Sequence, residues 1–237
     1  MKHNRILEWS VNGAIVLMLC VIVAAAFTGS YYGAVLDKET YAPIYHGGNE
    51  GKKVSLMINV YWGGEYVVEM AEAIKNYGFS TTFFIGGSWA AKNADIVKKL
   101  YDMDFELGNH GYNHRGHNTL GKEENRKEIV VTENLLREIT GSDPVKLFAP
   151  PSGAMGASMH GVCDELGYKV IMWTRDTIDW RDKDAELTYA RAVKNLASGD
   201  LVLMHPTAHT LEALPRILEF IKNSGFSVVP VSENIGA

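Results

Sequence analysis

His110 and His114 stand four residues apart in the run Asn109-His110-Gly111-Tyr112-Asn113-His114. A third histidine, His205, directly follows the apolar run Leu201-Val202-Leu203-Met204, and Asp179 precedes Trp180 in Asp176-Thr177-Ile178-Asp179-Trp180. Two neutral imidazoles so spaced suit a divalent ion with an open position. A late histidine beside a carboxylate suits proton transfer. Together these residue types point to hydrolysis near a metal. One requirement of that chemistry is missing: the apolar run Val54 to Ile58 leads into Asn59-Val60, where such a hydrolase needs carboxylates. An amide at Asn59 has no useful basicity.

The elements that must position these groups alternate. Strands are expected at 54–58, 81–85, 105–107, 146–149, 169–173, 201–204 and 226–229. Helices are expected at 65–77, 93–101, 123–140, 159–166, 184–196 and 211–223, several closed by Gly78, Gly141, Gly167 or Gly225. Short apolar strands separated by helices of this length are the pattern of parallel βα units buried on both faces. The fold class is therefore α/β, and some seven units predict a closed or nearly closed barrel. In a barrel, loops at the strands' carboxyl ends share one face. Asn59, His110, Pro151, Asp176, Asp179 and His205 all fall at those ends.

The chain has 237 residues, 22% of them charged, and a net charge of −5. No basic cluster is present, which argues against nucleic acid as a partner. Residues 1–8 form a short basic head. Residues 9–31 read as a single transmembrane anchor, or as a signal segment whose cleavage would release the remainder. The basic flank predicts that the following domain is extracytoplasmic. Residues 32–51 read as a stalk or linker and 52–237 as the catalytic-type domain. Cys163 is then the lone exported cysteine, so no intrachain disulfide is expected.

These motifs resemble the polysaccharide deacetylases of the NodB-homology type (carbohydrate esterase family 4), especially their sporulation-associated and clostridial branch. The likeness runs from Lys52 to Glu233 and is carried by five short motifs, including Phe148-Ala149-Pro150-Pro151-Ser152-Gly153 and Leu203-Met204-His205. It implies a distorted (β/α)7 barrel, a divalent metal such as zinc, and removal of N-acetyl groups from a polysaccharide such as peptidoglycan. It also implies residue roles. His110 and His114 would hold the metal, and the Ser152 N–H would stabilise the oxyanion. His205 would protonate the leaving amine, oriented by Asp179. Trp180 and Leu203, with Pro151, would contact the sugar; Tyr61 and Trp62, aromatics at a strand end, suit sugar stacking and core packing equally. In the family the first motif carries two aspartates, a base and a metal ligand, where this chain has Asn59 and Val60. The third motif's arginine is Ala149. A buried guanidinium with no carboxylate to hold would be an uncompensated charge, so the two losses read as coupled.

Blander readings apply elsewhere. His117 and His209 read as surface histidines, the charge run Glu123 to Glu138 as a solvated helix face, and Asp176 as equally suited to satisfying loop amides. Arg175 and Arg181 are candidates to replace the absent arginine, and Glu65, Asp104 and His117 to replace a missing ligand or base. A different hydrolase, or a domain whose cleft serves a protein partner, stays open as a third functional reading beside two others. One is a deacetylase of cell-wall or spore glycan with reduced turnover, its catalytic domain monomeric. The other is a catalytically inactive glycan-binding or morphogenetic protein on the same barrel.

Overall fold

The structure, a computed structural model, describes residues 16–24 and 42–237. They fall into two units, Met1–Ala42 and Pro43–Ala237. Within the first, residues 16–24 are helical. Among the described residues no helix is long and apolar enough to cross a membrane. The remainder of the expected head, span and stalk, up to residue 41, lies outside the described residues.

The carboxyl end of the expected linker is instead part of the second unit. Ile44 donates its N–H to Val170 and accepts from the Met172 N–H, both at 2.8 Å, while Gly47 N–H reaches the Gly199 carbonyl at 2.7 Å. Residues 43–51 thus satisfy backbone groups that a sheet edge would otherwise leave unpaired. The folded unit begins at Pro43, not at Lys52.

Its strands are β1 (Lys53–Val60), β2 (Thr82–Ile85), β3 (Glu106–Asn109), β4 (Leu147–Phe148), β5 (Lys169–Val170), β6 (Arg175–Asp176), β7 (Leu201–Met204) and β8 (Ser227–Val228). Around them lie α1 (Gly64–Asn76), α2 (Gly87–Ala90), α3 (Ala94–Asp102), α4 (Lys122–Thr140), α5 (Ala157–Glu165), α6 (Asp179–Asp182), α7 (Ala185–Val193), α8 (Ala208–Asn223) and α9 (Val231–Ile235). The strands pair in parallel along β5-β4-β3-β2-β1-β7-β6, with β8 beside β1. This is a curled, incompletely closed sheet: its edge strands are β5 and β6, and residues 171–174 run between them. It matches the distorted (β/α)7 barrel expected from the sequence.

Strand periodicity then decides what each side chain faces. Leu56, Ile58 and Val60 of β1 join the apolar layer beneath the helices, with Val67 and Met70 of α1 and Leu214 and Ile217 of α8. Met57 instead packs inside the barrel with Phe84, Leu147 and Leu201. Each such fully buried side chain contributes about 1.5–3 kcal/mol. Gly108 serves the interior: a Cβ there would meet the Phe84 ring at 2.6 Å. By the same alternation Asn59 faces inward, while Val60 belongs to the outer core.

Candidate active site

At the carboxyl ends of the strands is a cavity of about 390 Å³. Of the residues singled out in the sequence, Asn59, Trp62, His110, His114, Ser152, Trp180, Leu203 and His205 line it. Three others stand back. Asp179 lies behind His205, Tyr61 packs its ring against His114 at 4.8 Å, and Pro151 is buried and absent from the lining.

The histidine loop is anchored from α4. Asn109 donates to the Ile129 carbonyl (2.9 Å) and accepts the Gly111 N–H (2.9 Å). Glu128 accepts the N–H groups of Tyr112 (2.8 Å) and Asn113 (2.6 Å) and the Asn113 side-chain amide (3.0 Å). His110 Nδ1 lies 2.7 Å from the Ala149 carbonyl, which can only accept. The ring proton therefore sits on Nδ1 and leaves the Nε2 lone pair free. Burial, reinforced by His114, pushes His110 down to about 3. His114 is lowered too, by burial first. Both rings are thus neutral donors, their centroids 5.2 Å apart.

His205 is held by a buried carboxylate. Asp179 accepts the His205 backbone N–H on one oxygen (2.7 Å) and lies 2.8 Å from Nδ1 on the other. Thr210 donates its hydroxyl to the same carboxylate at 2.7 Å. Burial alone would raise Asp179, but these donors outweigh it and hold the carboxyl below its usual value. The arrangement places the proton of His205 on Nδ1 and presents Nε2, as a proton shuttle requires. Trp62 stacks on the imidazole, centroids 5.4 Å apart at 8°. Gly63 permits that approach, since a Cβ there would overlap the Pro206 carbonyl.

No such network exists at Asn59. Its side chain is almost wholly buried, and Oδ1 has no hydrogen-bond partner. Ala149 is fully buried. The arginines considered as substitutes are occupied elsewhere: Arg175 pairs with Asp200 at 2.5 Å and Arg181 with Asp182 at 2.6 Å. Neither lines the cavity, nor do Glu65, Asp104 or His117. Among the described residues no group of three His, Cys, Asp or Glu could hold a metal ion. Asp176 is the carboxylate on the wall, with one oxygen accepting the Ile178 N–H at 2.8 Å. It both satisfies a loop amide and faces the cavity.

A family model described as polysaccharide deacetylase matches residues 46–171. The chain belongs to the polysaccharide deacetylase family. It is 33% identical over 191 residues to the Bacillus subtilis protein YlxY, covering 81% of this chain and 60% of that one. A peptidoglycan-N-acetylglucosamine deacetylase of Bacillus cereus is 27% identical over 192 residues, covering 79% of this chain and 70% of the relative. Among solved structures, wild-type BA3943 of Bacillus anthracis, described as a CE4 family pseudoenzyme, superposes with a TM-score of 0.79 at 36% identity. That match covers 82% of this chain and 69% of the other. A BA3943 mutant described as having restored enzymatic activity matches at 34% identity and the same TM-score.

Relative to the polysaccharide deacetylase pattern, Val60 leaves no polar vacancy, because it packs in the outer core. Ala149 keeps the backbone carbonyl that orients His110. Several supporting residues escaped the sequence reading. Trp173 lines the cavity. His117 is fully buried, its Nδ1 2.6 Å from Asn125 Oδ1, and is no surface residue. His209 Nε2 donates to the Asp179 carbonyl at 2.5 Å. Glu128 is buried, so the charge run on α4 is not wholly solvated. Backbone strain marks the same region: His114, Ser152, Ile178 and Lys183 all have φ near 50° without being glycine. Such conformations cost about 1–2 kcal/mol each. For β-branched Ile178 this is a clear outlier, and it opens the turn that carries Asp179 and Trp180.

Proposed function

We propose that this chain binds an N-acetylated cell-wall glycan, peptidoglycan in kind, in the deacetylase cavity without turning it over at enzymatic rates. One observation carries the reading: the inward-facing group at the base position is the amide of Asn59, buried and unpartnered. Loss of a general base costs ~10²–10⁴-fold in rate. The cavity walls suit a sugar by contrast. Trp62, Trp173, Trp180 and Leu203 offer apolar walls for a sugar and its acetyl methyl. The likeness to a peptidoglycan-N-acetylglucosamine deacetylase supports the substrate class.

The donor set fits a loosely held divalent ion, zinc being suited to imidazole nitrogen. His110 Nε2, His114 and the unpartnered Asn59 Oδ1 would hold it, without an anionic ligand. Bound there, the ion would polarise an acetyl carbonyl. The chain's own residues orient the substrate and keep a proton shuttle at His205 ready, but none at position 59 accepts a proton from water. The apolar segment at 9–31 supports a single-pass anchor, or a cleaved leader, that puts a monomeric domain on the extracytoplasmic side.

A deacetylase of reduced turnover is the second reading, favoured by the complete Asp179–His205 pair and by Asp176 on the cavity wall. Calorimetric titration of an N-acetylglucosamine oligomer, with acetate assayed in the same samples plus zinc, separates the two. The expected result is saturable binding with no acetate above background. Zinc-dependent acetate release that disappears in His205→Ala would establish the second reading instead.

A further inference from the structure

The chain passes from one edge of the sheet to the other, β5 to β6, through residues 171–174. Backbone N–H groups along a strand point alternately to its two sides. Lys169 and Ile171 donate theirs toward β4, to the Lys146 and Phe148 carbonyls, each at 2.8 Å. The Val170 carbonyl and the Met172 N–H therefore point away from β4, to the open edge. Ile44 meets both at 2.8 Å and forms a parallel bridge to Ile171. Its side chain packs against the interior cluster of Met57, Phe84, Ala149 and Ile171, as Trp173 does. Ile44 precedes residue 46, where the match to the family model begins.

Trp173 is thus held from two sides by different elements. Before it, Met172 is bonded to Ile44. After it, Thr174 donates its N–H to the Leu201 carbonyl at 3.0 Å, and its hydroxyl accepts the Leu201 N–H at 2.9 Å. Between these fixed points Trp173 lines the cavity. Its ring lies against the Ser152–Gly153 turn, where a Cβ on Gly153 would meet Trp173 Cη2 at 2.9 Å and Met172 Cε at 3.1 Å. Leu201 belongs to β7, which is paired on both sides. Ile44 offers a single bridge, so the hold on Met172 is the weaker of the two.

We propose that residues 43–46 are a positioning strap: Ile44 pins Met172 and so sets where Trp173 stands in the cavity wall. Displacing the strap loosens the grip on a sugar without altering any residue of the cavity. That consequence for affinity rests on the glycan-binding reading above, whereas the placement of Trp173 does not. The test uses the full chain carrying 5-fluorotryptophan, its Trp173 resonance assigned with Trp173→Phe and its affinity measured for the linear N-acetylglucosamine tetramer. Ile44→Pro removes the N–H that Val170 accepts. Ile44→Ala removes the packing but keeps the backbone bonds, and so decides the matter even if the proline variant does not fold. In both, the Trp173 resonance moves and the tetramer binds roughly three- to tenfold more weakly, the size of one aromatic contact. Ile44→Val restores both values. An unmoved Trp173 resonance in the folded variants, a movement shared equally by Trp62 and Trp89, or a movement with no loss of affinity overturns the strap. A wild type that binds no tetramer overturns the glycan reading alone, and the Trp173 resonance then decides the strap by itself.

Discussion

Asn59 and Ala149 can be understood together from what each side chain would meet. A guanidinium at position 149 would be buried with no carboxylate at position 59 to pair with, and an isolated buried charge is costly. Alanine removes that charge without moving His110, whose Nδ1 partner is the backbone carbonyl. Asp179 is the opposite case, a buried carboxylate with every donor in place. Its folded value is depressed, so its stabilisation is present above the ordinary aspartate value near 3.9 and is lost as pH falls through the lower folded value. Asp179→Asn should cost about 2–3 kcal/mol at pH 7. Urea unfolding followed from pH 7 downward should show that difference shrinking in acid. A difference independent of pH would mean that the carboxylate's charge contributes nothing. His205 and Asn59 were legible in the sequence because each stands at the end of an apolar strand, and Asp179 because it shares a short loop with the large aromatic Trp180. Thr210 was not, because its role appears only when the first turn of α8 is placed at Thr207, before the apolar periodicity begins.

α4 shows how an element can mislead. Its buried stripe is Asn125, Glu128, Ile129, Thr132, Glu133 and Leu136, a regular helical face that mixes charged and apolar residues. Sequence periodicity sorts by polarity and so assigns Glu128 to solvent, whereas the histidine loop bonds to it. His117 is hidden for the same reason: its partner, Asn125, lies on that stripe. Strands of continuous apolar residues were easy to place, as both faces are covered. Two-residue β6 and five-residue α9 carry too little pattern to be seen. Since Glu128 accepts three donors from one loop, Glu128→Ala should destabilise the domain by about 3 kcal/mol. Amide hydrogen exchange at Tyr112 and Asn113 should accelerate, and much less so in Glu128→Gln. Protection that is unchanged in the alanine variant would show that the loop holds itself.

At the scale of the whole molecule, the curled sheet delivers inward-facing residues of β1, β7 and the β3–α4 loop to one rim, and period-two alternation decides which ones arrive. Asn59, His110, Leu203 and His205 are inward-facing; Val60 and Asn109 are not. The closed or nearly closed barrel was readable from the number and length of its βα units, while the pairing of Ile44 with the strand at Val170 was not, because residues 43–48 look like linker. In the glycan-binding function proposed for this chain, the sugar site and the proton shuttle survive while only the base system is gone. Acetate release from an N-acetylglucosamine oligomer by Asn59→Asp combined with Ala149→Arg, with zinc present, measures that directly. The double variant should exceed wild type by at least ~10²-fold, the contribution of a general base. A folded double variant that binds the oligomer yet releases no more acetate than wild type would contradict the claim.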